Sequence, residues 1–200
     1  MPVRCCSAQN LPPDSRGDEQ LKILFLQDVR PTAQAGDVKE VKNLDYFKID
    51  IQGAELCVFE NGINRLSECL VIHTEVEFLP MYINQPLFSD VEMFLRGKGF
   101  VFHRFAPLTS RIVSPMIIDD DIYRGLSQMF WADAVFIRDF TKLSRLPPEK
   151  LLKFSIILHD IYESYDLVLR ILMAHDDQTA TNYADLYQKS LKKWLTNRGP

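Results

Sequence analysis

The sequence predicts an α/β fold: a mostly parallel sheet that closes on an antiparallel final strand, followed by a C-terminal helical hairpin. Three observations carry that prediction. From Asp45 onward, short runs rich in Val, Ile, Phe and Thr alternate with helical patterns, the order expected of a parallel sheet with crossover helices. The last two strands have no helix between them, which makes them an antiparallel pair. After Leu146-Pro147-Pro148 the apolar residues recur at helical spacing alone.

Residues 1–20 hold Pro12-Pro13, Asp14-Ser15 and Gly17-Asp18 with few apolar groups, and read as a loose leader. Leu21 to Leu26 is a short apolar run whose length and bulk favour a strand. Pro31 to Asp37 is a loop, and Val38 to Asn43 a short helical turn or irregular chain. Tyr46 to Ile51 is a strand, Ala54 to Leu66 a helix that Gly62 ends or bends, and Cys69 to Phe78 a second strand. Pro86 to Lys98 is the next helix, with Leu87, Val91, Phe94 and Leu95 at helical spacing. Gly97-Lys98-Gly99 follows a helix and precedes a strand. That is the reverse of what a phosphate loop needs, so it reads as a C-cap.

Phe100 to Phe105 is a strand, Ser110 to Leu126 a long connection, and Phe130 to Ile137 the last strand. Beyond it, Phe154, Leu158, Ile161, Tyr165, Val168 and Leu172 follow a 4-3-4-3-4 spacing on one helical face. A second helix, Asn182 to Leu195, carries Tyr183, Tyr187, Leu191 and Trp194. Stripes of this kind are packing surfaces, so the two helices form a hairpin docked on the sheet or on a second subunit. The chain therefore divides into a leader at 1–20, an α/β domain at 21–143 and a helical appendage at 147–197.

With 46% hydrophobic and 25% charged residues, the 200-residue chain has the composition of a soluble globular protein. A net charge of -4 argues against a nonspecific nucleic-acid binder, which needs a basic face. Cys5, Cys6, Cys57 and Cys69 show no CxxC spacing and no partner histidine, so four free thiols in a reducing compartment are expected. Met1 is not followed by an apolar signal region, and the longest apolar runs fall far short of a membrane span. The chain reads as cytoplasmic.

The candidate site is the octapeptide Lys48-Ile49-Asp50-Ile51-Gln52-Gly53-Ala54-Glu55, where a strand ends and a helix begins. Ligands of open α/β sheets sit at the carboxyl ends of the strands, where loops carry polar groups over a rigid floor. Asp50, Gln52 and Glu55 cluster at such an edge, although Glu55 alone could serve only the helix dipole. Gly53 permits a sharp turn or a close approach. On the next strand His73, Glu75 and Glu77 alternate with Thr74 and Val76 and share one face. For a lone strand histidine, a satisfied core role outweighs catalysis. Asp119-Asp120-Asp121 reads as a solvated loop, because adjacent side chains do not converge on a cation. His159 and Asp160 point about 100° apart on a helix, which argues against an acid/base pair.

These residues carry a resemblance. Lys48 to Glu55, followed by Val58-Phe59-Glu60-Asn61-Gly62, is similar to the stretch KID-[VI]-[QE]-G-x-E-x-x-[VL]-x-x-G of FkbM-type methyltransferases. His73-Thr74-Glu75-Val76-Glu77-Phe78, Tyr82, Gln85-Pro86-Leu87-Phe88, Asp90 and the Phe94-Leu95 to Gly99-Phe100 pair follow in the same order, so that the resemblance runs from about Val38 to Phe140. It implies a partial class I (Rossmann-like) methyltransferase sheet and S-adenosylmethionine as methyl donor. It also implies O-methylation of a hydroxyl on a small acceptor, a carbohydrate among the candidates. Asp50 would orient or deprotonate the acceptor, while Lys48, Gln52, Gly53, Glu55 and Glu75 would bind cofactor or acceptor, with no metal.

In that family the octet lies on the fourth strand, so three strand–helix repeats, about 70 residues or more, should precede it. Gly17 and Gly36 are isolated, and no GxGxG-like turn appears. The donor-binding half is thus expected to be missing, leaving the 46–51 strand to pair with 21–26 or with another molecule. The transferase would then be a fragment or borrow a donor site from a complementing chain; the alternative is a non-catalytic binding or dimerisation module derived from a methyltransferase, working as a homodimer.

Overall fold

The computed structural model describes the backbone of residues 23–27 and the chain over 43–121 and 124–197. The expected leader at 1–20, the loop at 31–37, nearly all of 38–43, and Cys5 and Cys6 lie outside those residues. The described residues form two compact units, one ending at Arg138 and one beginning at Asp139.

The first unit is a five-stranded sheet in the order β1-β2-β3-β5-β4. Its strands are β1 (Ile23–Gln27), β2 (Tyr46–Asp50), β3 (Val71–Glu77), β4 (Phe100–Arg111) and β5 (Gln128–Arg138). β1, β2 and β3 run parallel, while β5 lies antiparallel to both β3 and β4. The expected mixed sheet is therefore present, and the 21–26 run does pair with the octet's strand, Ile23 opposite Tyr46 and Gln27 opposite Asp50. Helix α1 (Glu55–Asn61) breaks at Gly62 and continues as the short α2 (Ile63–Leu66). Helix α3 (Phe88–Gly97) ends where Gly99 takes φ +84° and donates its N–H to the Arg96 carbonyl, the expected C-cap.

β4 is twice the length read from the sequence. Its register slips between Phe102 and Arg104, between Phe105 and Leu108, and again at Thr109 and Ser110. Each slip breaks the two-residue alternation by which a strand is recognised.

Pairing places alternate residues on opposite faces. On one face Phe47, Ile49, Ile72, Val76, Ala134 and Phe136 pack with Phe59 of α1 and Val91 and Leu95 of α3 into the buried core. Each large apolar side chain there contributes about 1.5–3 kcal/mol relative to exposure. The other face carries Tyr46, Lys48 and Asp50 on β2, His73, Glu75 and Glu77 on β3, and Trp131 and Asp133 on β5. Lys48 lies opposite His73, Glu75 opposite Asp133, and Glu77 opposite Trp131.

In the second unit a 3-10 turn (Leu143–Arg145) leads to α4 (Pro148–Asp160), α5 (Tyr165–Thr179) and α6 (Tyr183–Asn197). Pro148 sits in the first turn of α4, where its missing N–H costs nothing. The stripe from Phe154 to Leu172 is not one helix. The chain turns at 161–164, Glu163 takes φ +51°, and the Ser164 N–H reaches back to the Leu158 carbonyl. The expected first arm of the hairpin is thus itself two helices. Phe154, Leu158, Val168 and Leu172 are all buried, so the apolar spacing runs through the turn unchanged, while Ile161 on the same stripe is 44% exposed. Asp176 caps the third helix, accepting the N–H groups of Tyr183 and Ala184. Among the described residues no helix is long and apolar enough to cross a membrane.

Candidate functional site

β2 ends at Asp50, and the chain enters α1 through two residues with positive φ, Gln52 at +61° and Gly53 at +94°. For glutamine that conformation costs about 1 kcal/mol or more. The same turn aims its amide between two carboxylates: Gln52 Nε2 donates to Asp50 Oδ1 at 3.1 Å and to Glu75 Oε2 at 3.3 Å. Asp50, Gln52 and Glu75, chosen from sequence, are thereby brought together at the carboxyl ends of adjacent parallel strands.

Glu55 turns the other way. It is 2% exposed, and its Oε1 accepts the Ile51 N–H at 2.8 Å, closing the turn from inside. Gln85 packs onto Gly53: a Cβ there would lie 2.4 Å from Gln85 Nε2. Gln85 is held by its own loop, its Oε1 accepting the N–H groups of Met81 and Tyr82. Gly53→Ala is expected to cost about 1–3 kcal/mol, since alanine resists this φ and displaces Gln85. Urea unfolding measures it, and a loss near zero would show that the turn tolerates a side chain.

Lys48 does not point at the cluster. Its Nζ lies 3.0 Å from Asp133 Oδ2 and 3.5 Å from His73 Nε2. His73 Nε2 lies 2.9 Å from the same Asp133 oxygen, and the Tyr46 hydroxyl is 3.3 Å from His73 Nδ1. The histidine is satisfied, as its strand position suggested. Asp133 and Tyr46 were not among the sequence candidates. The one available signal was a carboxylate set between apolar neighbours in Trp131-Ala132-Asp133-Ala134-Val135.

Asp50, Glu55, Glu75 and Glu77 crowd together. Burial, then the charges of Asp50, Glu77, Glu55 and Asp133, push the Glu75 carboxyl up to about 8. Burial, then Glu55, pushes Glu77 up to about 7, and the Gln85 amide opposes this weakly. Glu77 Oε1 and Gln85 Nε2 nevertheless make no hydrogen bond. Burial raises Glu55 as well, partly offset by the Ile51 N–H. Near neutrality Glu75 therefore holds its proton and can donate a hydrogen bond beside the Gln52 amide.

The sign of the pH dependence follows. All three glutamates titrate above the ordinary 4.5, so the folded state binds more protons than the unfolded one. Their favourable contribution is complete below that value and is lost as pH rises through about 7 and 8. The melting temperature is expected to fall between about pH 5 and about pH 8.5. Glu75→Gln should raise it at the upper end and leave the lower end nearly unchanged. A melting curve insensitive to pH would refute the crowding.

Among the described residues no group of three or more His, Cys, Asp or Glu is arranged to hold a metal ion. Asp119 in the acidic triplet pairs instead with Arg124. The helical unit has a cavity of about 370 Å³ lined by His159, Tyr165, Tyr187, Ser190, Leu191 and Trp194. There His159 Nδ1 meets the Tyr187 hydroxyl at 2.9 Å.

A mostly parallel sheet with polar side chains gathered at the carboxyl ends of its strands defines a Rossmann-like α/β protein. Residues 34–102 match the family model of the methyltransferase FkbM domain. The match ends short of Phe140, to which the motifs were followed.

Two solved structures are loosely similar. One is a Streptococcus pneumoniae protein described as a tRNA methyltransferase, in complex with S-adenosyl-L-methionine. It is 13% identical, with TM-score 0.33, covering 73% of this chain and 65% of its own. The other is a protein of the NADB-Rossmann superfamily from Streptococcus agalactiae. It is 16% identical, with TM-score 0.29, covering 67% of this chain and 61% of its own. The chain spans less than two thirds of the length of either. No curated protein matches the sequence.

Proposed function

We propose that this chain provides the acceptor side of an S-adenosylmethionine-dependent O-methyltransferase acting on a hydroxyl of a small molecule, a carbohydrate among the candidates. The observation that carries the reading is the Asp50–Gln52–Glu75 cluster, hydrogen-bonded at the ends of β2 and β3 inside the FkbM-type segment. Bound S-adenosylmethionine supplies an electrophilic methyl group on a sulfonium. The acceptor oxygen must then lose its proton as the new bond forms. Asp50, an acceptor-only carboxylate, takes that proton. Gln52, whose two amide hydrogens go to Asp50 and Glu75, holds the two carboxyls in place, and the protonated Glu75 donates a hydrogen bond that orients the acceptor; such positioning supplies a large part of the acceleration. The net acidity of the cluster suits a neutral polyol better than a nucleic acid. Cys57 and Cys69 are unbridged, in keeping with a reducing, cytoplasmic setting.

One observation favours a second reading, a non-catalytic binding or dimerising module. The Gly53 turn after β2, where a ligand would approach the backbone, is covered by the Gln85 side chain. Calorimetric titration with S-adenosylhomocysteine separates the two. Binding supports the transferase. Its absence at near-millimolar ligand sinks an enzyme that works alone, and a dimer by sedimentation would then favour the module.

A further inference from the structure

We infer that Asp133 is a positioning residue, which draws Lys48 across the sheet and so keeps that ammonium off Asp50 and Glu75. Its purpose rests on the methyltransferase reading; the geometry stands without it.

Lys48 is on β2 and Asp133 on β5, with β3 between them. To meet Asp133 Oδ2 at 3.0 Å, Lys48 spans two strand spacings, about 10 Å. Two carboxylates on the same face lie nearer along the pleat. Asp50 is two residues on in its own strand, and Glu75 is the diagonal neighbour on β3, within reach of a long side chain. The lysine takes neither.

His73 explains the preference. It stands opposite Lys48 and next to Glu75 on the same face, and its Nε2 lies 2.9 Å from the oxygen that Lys48 contacts. An ionised carboxylate can only accept, so Nε2 carries the histidine proton and Nδ1 accepts from the Tyr46 hydroxyl. Burial pushes Asp133 up, but the hydrogen bonds from His73 and Lys48 outweigh it and hold the carboxyl below its usual range. One oxygen thus gathers two donors and fixes the lysine's course. Around Glu75 lie the Gln52 amide and the acids Asp50, Glu55, Glu77 and Asp133, whose charges add to burial in holding it protonated. A lysine swung onto Glu75 would ionise it and close the space beside Asp50.

Carbon-detected NMR titration of the Glu75 carboxyl, assigned by its loss in Glu75→Gln, tests this. Asp133→Asn should lower the midpoint from about 8 by about 1–2 pH units as Lys48 moves across. Lys48→Met should not lower it, because the Asp133 charge then stands unopposed. Combining the two should return the midpoint toward wild type. An Asp133→Asn variant with an unmoved midpoint overturns the inference, as does an equal fall when Lys48 is absent. If Asp133→Asn does not fold, Lys48→Met decides alone: a fall in that variant refutes the inference and an unchanged or raised midpoint upholds it. None of these readings depends on turnover, so a failure to bind S-adenosylhomocysteine would sink the transferase and leave this result standing.

Discussion

Asp50→Asn is expected to lower the rate of methyl transfer by about 10²–10⁴-fold while leaving S-adenosylhomocysteine binding nearly intact. The substitution is close to isosteric, and an asparagine carbonyl can still accept the Gln52 amide that now reaches Asp50 Oδ1. The cluster therefore keeps its shape. On the proposed mechanism, what disappears is the carboxylate assigned to take the acceptor's proton. Single-turnover transfer of a labelled methyl group, with calorimetry beside it, separates the two effects. A retained rate would remove Asp50 from the chemistry, and a joint loss of rate and binding would make its role structural. The substitution carries a second signature. The Asp50 charge is, after burial, the largest contribution holding the Glu75 carboxyl high, so Glu75 should titrate lower in this variant whether or not it turns over.

Arg138→Met should cost about 3–5 kcal/mol of stability. The guanidinium donates to the carbonyls of Leu66, Ser67, Cys69 and Lys98, and lies 4.0 Å over the Phe100 ring. It thereby ties the connection after α2 and the turn after α3 to the end of β5. Hydrogen bonds from a charged donor are worth about 1.5–3 kcal/mol each and do not simply add. Methionine fills much of the volume but leaves carbonyls without donors beside the buried Leu66, Cys69 and Phe100. Arg138→Lys keeps the charge without the planar fork that serves several carbonyls at once, so it should recover less than half of the loss. Urea unfolding measures both variants. A loss below about 1 kcal/mol for methionine would show that water replaces the fork at little cost.

The strands of the core were legible because their chemistry is local. The 46–51, 69–78 and 130–137 runs are short and rich in β-branched and aromatic residues, and each became a strand within two residues of its expected ends. The second half of β4 was not legible, because register slips remove the period by which a strand is read. The turn at 161–164 was hidden for the opposite reason. Phe154, Leu158, Val168 and Leu172 are buried on both sides of it, so the helical spacing survives a break in the helix. Ser164 ahead of Tyr165-Asp166 was the faint sign of a new start.

By itself the sequence determined the mixed α/β sheet, the similarity of its central stretch to the methyltransferase FkbM domain, and Asp50, Gln52 and Glu75 as polar residues at the ends of adjacent strands. Those properties follow from residue type and spacing along one chain. Only the tertiary structure decided how the octet divides its labour. Glu55 turns inward to the Ile51 N–H, Gly53 is filled by Gln85, and Lys48 leaves the cluster for Asp133. Gln85 is 32 residues from Gly53 and Asp133 is 85 residues from Lys48. A side chain chooses among partners by distance in space, and strand order, not spacing in the chain, sets that distance.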